Sequence, residues 1–296
     1  MLAYYVMKLI SKIFCILPWS VGLAFGKGLG RLALKIVPEW RLRMAAANVE
    51  ECLHVPPEEA KAIAEQSVTK LGRMIIEVLR FPLLNPENID DMVKTEGQEY
   101  LEEAFKKGKG VIICTGHYGN WELLGAYMGL HGYPILSIAR KQDNEAMDRF
   151  INEYRELVGQ KVAYNRGEEG VLAMGRYLKE KHLLGILYDQ DRSKTGVMTC
   201  LFGKEVRTPN GPAVFSRTFG CPNLPVFMHC DADGSCRVKI YPPLYTERTK
   251  DKDRDIRQAT EKLMTILEQE IRSDPPMWFW VHDRWKDGKK RFKPIK

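Results

Sequence analysis

The sequence lacks the patterns that most readily mark a serine hydrolase, a zinc protease or a nucleotide-binding protein. It has no GxSxG elbow, no HExxH, no GxGxxG and no Walker loop. "FGKGLG" at Phe25–Gly30 has the glycines but neither the Walker spacing nor its Ser/Thr, and reads as a Gly-rich bend. The seven cysteines (Cys15, Cys52, Cys114, Cys200, Cys221, Cys230, Cys236) form no CxxC pair and no zinc spacing, so reduced thiols facing the cytosol are expected. There is no internal repeat and no low-complexity tract. A bilayer-length apolar run is also missing: the longest uncharged stretch near the N-terminus, Ile13–Gly26, has 14 residues, against the ~20 that a spanning helix needs. No small-x-small cleavage pattern follows it, which argues against a signal peptide.

What is present is a chain of 296 residues, 45% hydrophobic, long enough for one large α/β domain or two small ones. Its net charge of +7 is unevenly placed: residues 1–50 carry seven Lys/Arg against two Glu, and residues 276–296 carry seven Lys/Arg against two Asp. Two basic ends on a nearly neutral body suggest a surface that meets phosphates, of nucleic acid or of an anionic membrane. At the N-terminus Lys8 and Lys12 share one helical face, with Tyr4, Tyr5 and Trp19 available for the headgroup boundary. Residues 1–40 therefore read as an interfacial or re-entrant anchor bent at Pro18, with a tilted span over residues 1–26 as the alternative.

Residues 41–95 read as a lead of two or three helices. From Gly108 onward, β-rich runs alternate with helical patterns: "GVIICT", a helix through "NWELLGAYMGLHG", "PILSIA", a polar helix over 145–158, "KVAYN", a helix over 167–179, then "LLGILY". This rhythm predicts parallel strands with helical crossovers. "PVFMHC" and "CRVKIY" flank the turn "DADG" as a hairpin, a long amphipathic helix covers 252–272, and "MWFWVH" reads as a last, aromatic strand. The expected fold class is α/β: a mixed, mostly parallel sheet flanked by helices, spanning 96–296, behind the membrane-associating segment.

The chemistry concentrates in "TGHYGNWELLG", Thr115–Gly125. On one helix a five-residue step rotates by about 140° net, so His117 and Glu122 cannot share a helical face. They meet if His117 lies on the loop and Glu122 in the first helical turn. Gly116 and Gly119 loosen that loop, and Asn120 is a good N-cap. An anionic Glu122 beside the imidazole would fix its tautomer and favour the imidazolium, as a general base requires. The loop also ends a parallel strand, where open α/β sheets place their ligands. The plainer alternatives are a capping or surface histidine and a glutamate that only complements the helix dipole. No nucleophile accompanies the pair, since Cys114 sits on the strand, so the substrate must supply the attacking group, most simply a hydroxyl. With only two ligands in view, no metal is expected.

These residues resemble the bacterial lipid A biosynthesis (lauroyl/myristoyl) acyltransferases, within the wider lysophospholipid acyltransferase group. Their HxxxxD/E box appears as "HYGNWE", followed in order by Arg140 in "SIARKQDN", "YDQD" at 188–191, "LFGKEVRTPNGPAVFSRTFGCPNLPVF" and "WFWVHDRWK"; "RLRMAAANVEECL", with Arg41, Arg43 and Asn48, is also similar. The likeness covers nearly the whole chain, with Asp283 standing where an arginine is expected.

The resemblance implies transfer of a fatty acyl group from an acyl carrier protein thioester to a hydroxyl of a phosphorylated glycolipid, a lipid A precursor, at the cytoplasmic face of the inner membrane. His117 would be the base and Glu122 its orienting carboxylate. Arg140 suits a bidentate grip on a phosphate, and Asn120 is a further substrate-side candidate. Asp189 and Asp191, ending a buried strand, should pair with a base or hold a loop. Gly203, Thr208 and Gly211 in "FGKEVRTPNG" are candidates for a lipid headgroup, or simply a turn into the helix after Pro212. No cofactor is implied beyond the acyl carrier donor. The expected partners are acyl carrier protein and an anionic membrane; "WFWVHDRWKDGKKRFK" is compatible with nucleic acid, but that reading leaves the HxxxxE box idle, so no nucleic-acid partner is expected. Other lipid acceptors, or a thioesterase in which His117 activates water, are the alternatives.

Overall fold

A computed structural model of the chain describes residues 2–164, 168–190, 196–231 and 233–286. Four helices lead: α1 (Leu2–Ile16), α2 (Trp19–Ile36), α3 (Glu39–Leu53) and α4 (Pro57–Leu79). After a short α5 (Ile89–Met92) come β1 (Val93–Glu96), α6 (Gln98–Lys106), β2 (Val111–Thr115), α7 (Trp121–Leu130), β3 (Ile135–Ala139), α8 (Glu145–Leu157), β4 (Gln160–Tyr164), α9 (Glu168–Lys179) and β5 (Leu183–Leu187). A ribbon of β6 (Val197–Leu201) and β7 (Lys204–Thr208), α10 (Gly211–Phe219), β8 (Asn223–Cys230), β9 (Cys236–Ile240) and α11 (Lys252–Ser273) follow, then a 3-10 turn at Pro275–Met277.

Seven strands make one sheet in the order β1-β9-β8-β2-β5-β3-β4, parallel throughout except for the antiparallel β8–β9 pair. The expected mixed, mostly parallel sheet is the one observed. Its centre is β2, every residue of which is buried, as its unbroken apolar run demands of a strand covered on both faces. The two-stranded β6–β7 ribbon stands apart and carries the segment read as a headgroup loop. Phe202 and Gly203 turn it with φ of 53° and 73°, two successive positive values suited to a two-residue hairpin.

Pro18 does separate the first two helices. The glycines of "FGKGLG" do not bend the chain, however; α2 runs through them unbroken. Gly26 and Gly30 face Gly72 of α4 so closely that a Cβ on Gly30 would lie 2.1 Å from the Thr69 carbonyl oxygen. The glycines let two backbones touch, which a side chain would forbid. On the other flank α1 is tied to α8 by a Lys8–Glu153 ion pair of 2.7 Å and by the Tyr4 hydroxyl on the same carboxylate. Its outer face leaves Leu2 79% and Ile16 77% exposed, with Leu9 and Ile13 between them. Among the described residues, no helix is long and apolar enough to cross a membrane.

Two further expectations are corrected. "MWFWVH" is not a strand: after the 3-10 turn it runs along the loop that follows β2, with Gly119 N–H donating to the Met277 carbonyl and Phe279 N–H to that of His117. Its aromatic alternation serves packing, since Trp278 and Trp280 are buried edge-to-face at 4.8 Å. Nor are all thiols free. The hairpin register sets Cys230 directly opposite Cys236, and the two are joined in a disulfide.

Candidate active site

The β2–β5 ladder builds the site. Thr115 pairs with Leu187, and Tyr188 N–H donates to the Thr115 carbonyl. Two residues beyond each strand end stand His117 and Asp189, and the parallel register delivers them to each other. His117 Nδ1 lies 2.8 Å from Asp189 Oδ1, while His117 N–H and the Trp278 indole N–H both donate to Oδ2 at 2.9 Å. With Nδ1–H donated to the carboxylate, Nε2 carries the lone pair of a general base. Burial opposes the Asp189 charge, but the His117 ring and these donors hold its pKa down to about 2. The His117 side chain is 24% exposed, its ring edge-on to Trp121 at 5.0 Å and tilted against Phe279 at 6.5 Å. Asp189 itself is sealed. A buried carboxylate hydrogen-bonded to a partly exposed imidazole is an arrangement in which the carboxylate can orient the ring and the ring can act as a base, with Trp121 and Phe279 against it.

Glu122 occupies the second residue of α7, as expected, but does not hold His117. Its carboxylate takes a bidentate grip from Arg155 of α8, Nη2 at 2.6 Å and Nε at 2.8 Å. The reason is geometric: the strand register has already placed a carboxylate beneath His117, and α7 points Glu122 toward α8. Arg155 lies in no motif, and Trp278, although it opens the "WFWVHDRWK" segment, shows nothing in sequence of its bond to Asp189. The sequence marks Asp189 as a buried carboxylate in need of a partner, and only the strand pairing reveals that partner.

Asn120 is the N-cap of α7, its Oδ1 accepting from Leu123 N–H. Its amide donates to buried Glu77, which Arg73 also grips at 2.7 Å. Burial pushes the Glu77 carboxyl upward against those two partners. Asn120 is thus spent on structure and unavailable to a substrate. Gly119, before it, has φ 57°, and a Cβ there would lie 1.6 Å from the Met228 carbonyl oxygen, so only glycine fits. Tyr118 points inward to His229 (3.2 Å), which meets Glu270 at 2.6 Å. Burial disfavours the Glu270 charge, yet His229, Lys239 and Tyr241 hold its pKa at about 2.

The remaining candidates lie apart from this pair. Arg140 is exposed at the end of β3 and grips Asp143 at 2.9 and 3.1 Å. Thr208 is fully buried, its hydroxyl shared with Thr199 and Arg284 at 2.8 Å each, which removes it as a headgroup donor. Gly203 is the ribbon turn, and Gly211 opens α10, where an added Cβ would meet nothing within 4 Å. Asp191 lies outside the described residues. Glu77 approaches Cys230 and Cys236 closely enough to share a metal, but both sulfurs are in the disulfide and Arg73 Nη2 is 3.2 Å from Cys236 Sγ, a poor setting for a cation.

An apolar cavity of about 890 Å³ opens between α1, α2, α4 and α8, with Glu122 of α7 in its wall and neither His117 nor Asp189 lining it. Phe14, Leu29, Ile76 and Phe150 line it, and Glu122 is the one charged side chain among its described walls.

Compared with known proteins, residues 1–287 match the family model described as bacterial lipid A biosynthesis acyltransferase. The phosphatidylinositol mannoside acyltransferase of Mycolicibacterium smegmatis is 24% identical over 264 residues, 88% of this chain and 84% of its own. The lipid A biosynthesis palmitoleoyltransferase of Escherichia coli is 28% identical over 275 residues, 91% of this chain and 86% of its own. Among solved structures, a 1-acyl-sn-glycerophosphate acyltransferase of Thermotoga maritima overlaps 90% of this chain and 98% of its own, at 14% identity and a TM-score of 0.39.

Proposed function

The chain belongs to the bacterial lipid A biosynthesis acyltransferases, and within that family we propose that it transfers a fatty acyl group from an acyl carrier protein thioester to a hydroxyl of a phosphorylated membrane glycolipid. The observation that carries the mechanism is the His117–Asp189 pair at the carboxyl end of the central strands. His117 Nε2 takes the proton of the acceptor hydroxyl as its oxygen attacks the thioester carbonyl. The imidazolium so formed is stabilised by Asp189. The tetrahedral oxyanion collapses, the C–S bond breaks, and the leaving thiolate takes the proton from Nε2, leaving an ester and a free thiol. Asp189 fixes the tautomer, and Glu122 with Arg155 acts from one shell further out, joining α7 to α8 beside the reacting groups.

The apolar cavity supports an acyl-chain site, since its volume falls in the range of small-molecule pockets (roughly 300–1,000 Å³) and its walls offer almost nothing polar. The exposed Leu2, Leu9 and Ile16 face supports docking of α1 on the membrane rather than through it, with the cytoplasmic face of the inner membrane as the site of action. The names of the two relatives given above refer to glycolipids, a phosphatidylinositol mannoside in one and lipid A biosynthesis in the other.

The test is acyl transfer from radiolabelled acyl carrier protein thioesters to a panel of lipid acceptors in detergent, wild type beside His117→Ala. Label moving to a phosphorylated glycolipid with wild type alone is the expected result. Release of free fatty acid without ester would make the protein a thioesterase and end the proposal.

A further inference from the structure

A second pocket, about 410 Å³, opens between α2, α4, the β8–β9 turn and the 3-10 turn at Pro275–Met277. It is unlike the apolar cavity. Lys27 and Arg31, one turn apart on α2, face Lys70 and Arg73 of α4 across it, with Asp231 and Asp274 as the only carboxylates among its described walls. The four cations meet because Gly26 and Gly30 let α2 lie directly on Gly72, between Lys70 and Arg73 in sequence. Arg73 is occupied by Glu77 and by the carbonyls of Asp231 and Gly234, and Lys70 has Asp274 at 3.6 Å. Lys27 and Arg31 make no hydrogen bond or ion pair with any described residue. Two unpartnered cations beside two paired ones are mutually repulsive, and an anion entering the pocket would relieve that repulsion.

The placement identifies the anion's source. α2 divides the two pockets: Phe25, Gly28 and Leu32 line the apolar cavity, whereas Leu23, Lys27 and Arg31 line the cationic one. Phe25 and Leu32 are exposed large hydrophobics of the same helix. A helix that presents them to a bilayer sets its lysine and arginine at headgroup depth, where cations meet lipid phosphates. The segment that closes the pocket also touches the catalytic loop: Met277 lines it, and its carbonyl accepts from Gly119 N–H.

We propose that this pocket binds a phosphate of the acceptor lipid's headgroup, with Lys27 and Arg31 as its principal ligands. The inference rests on the acyltransferase reading only for the word acceptor, because the pocket and its cations stand without it. It also moves the phosphate contact away from Arg140, which Asp143 already engages.

The test is calorimetric titration of the full chain in detergent with three probes: dihexanoyl phosphatidic acid below its micellar concentration, neutral dihexanoylglycerol, and inorganic phosphate. The variants are K27Q/R31Q and, as a charge-matched control outside the pocket, K12Q/K35Q. Phosphatidic acid should bind wild type and the control alike and K27Q/R31Q at least tenfold more weakly, with weakening in salt and no binding of the neutral lipid. Equal binding by K27Q/R31Q, or equal binding of the neutral lipid, would overturn the site. Inorganic phosphate binding as tightly as the lipid would overturn the lipid assignment. None of these readings depends on turnover, so a failure of acyl transfer in wild type would sink the function while leaving the site standing. The exposed side chains of Lys27 and Arg31 make an unchanged melting temperature the check on folding.

Discussion

Asp189 accepts from both the backbone N–H and the ring of His117, and it does so because Thr115 and Leu187 are register partners on adjacent parallel strands. Each residue lies two positions past its strand's last paired residue. The dyad is therefore a product of the sheet, not of the five-residue spacing inside "HYGNWE".

Glu122 and Arg155 should then report on structure more than on chemistry. Both side chains are largely buried, so Glu122→Ala strands a guanidinium and costs about 3 kcal/mol of stability. Adding Arg155→Met should recover much of that loss. Denaturant midpoints for the single and double variants, beside transfer rates per folded molecule, measure both effects.

Acid should weaken the fold in a defined window. Asp189 falls from an ordinary 3.8 to about 2 and Glu270 from 4.5 to about 2. A carboxylate with a depressed folded pKa stabilises above its unfolded value and loses that contribution as pH falls through the folded one. Stability should thus drop between about pH 4.5 and 2, by roughly 2 kcal/mol or more per group. Urea midpoints at pH 5 and pH 3 should show a smaller fall in Asp189→Asn and in Glu270→Gln than in wild type.

The apolar cavity should set chain preference. Gly28 lines it, and a Cβ there meets nothing within 4 Å. Gly28→Leu fills the space while favouring the helix by about 1 kcal/mol. The variant should melt higher and shift from longer to shorter acyl donors, read as transfer rates across a chain-length series. An unchanged profile would place the acyl chain elsewhere.

The α7 cap gives a further check. Removing the Glu77 carboxylate leaves Arg73 and the Asn120 amide without their buried partner. Glu77→Ala should destabilise by about 3–5 kcal/mol, and Glu77→Gln by less, in thermal melts.

The parts of this architecture that depend on local pattern could be read directly. Unbroken apolar runs made β2 and β5 visible, "DADG" marked the β8–β9 hairpin, and Asn120 declared the start of α7. What escaped depends on contacts distant in the chain. Nothing near Glu122 announces Arg155, 33 residues on, and nothing near Asp189 announces Trp278. The glycines of α2 looked like a bend because their partner, Gly72, lies more than forty residues away. "MWFWVH" alternates like a strand because its tryptophans must be buried, although its backbone runs along a loop.

In the proposed mechanism Asp189, and not Glu122, is the carboxylate that orients His117. The most direct measurement is single-turnover acyl transfer by His117→Ala, Asp189→Asn and Glu122→Gln, each first shown to be folded by near-UV circular dichroism. Asp189→Asn should fall with His117→Ala, by about 10³–10⁴-fold in rate, while Glu122→Gln stays within about tenfold of wild type. Near wild-type transfer by Asp189→Asn, with Glu122→Gln inactive, would contradict it.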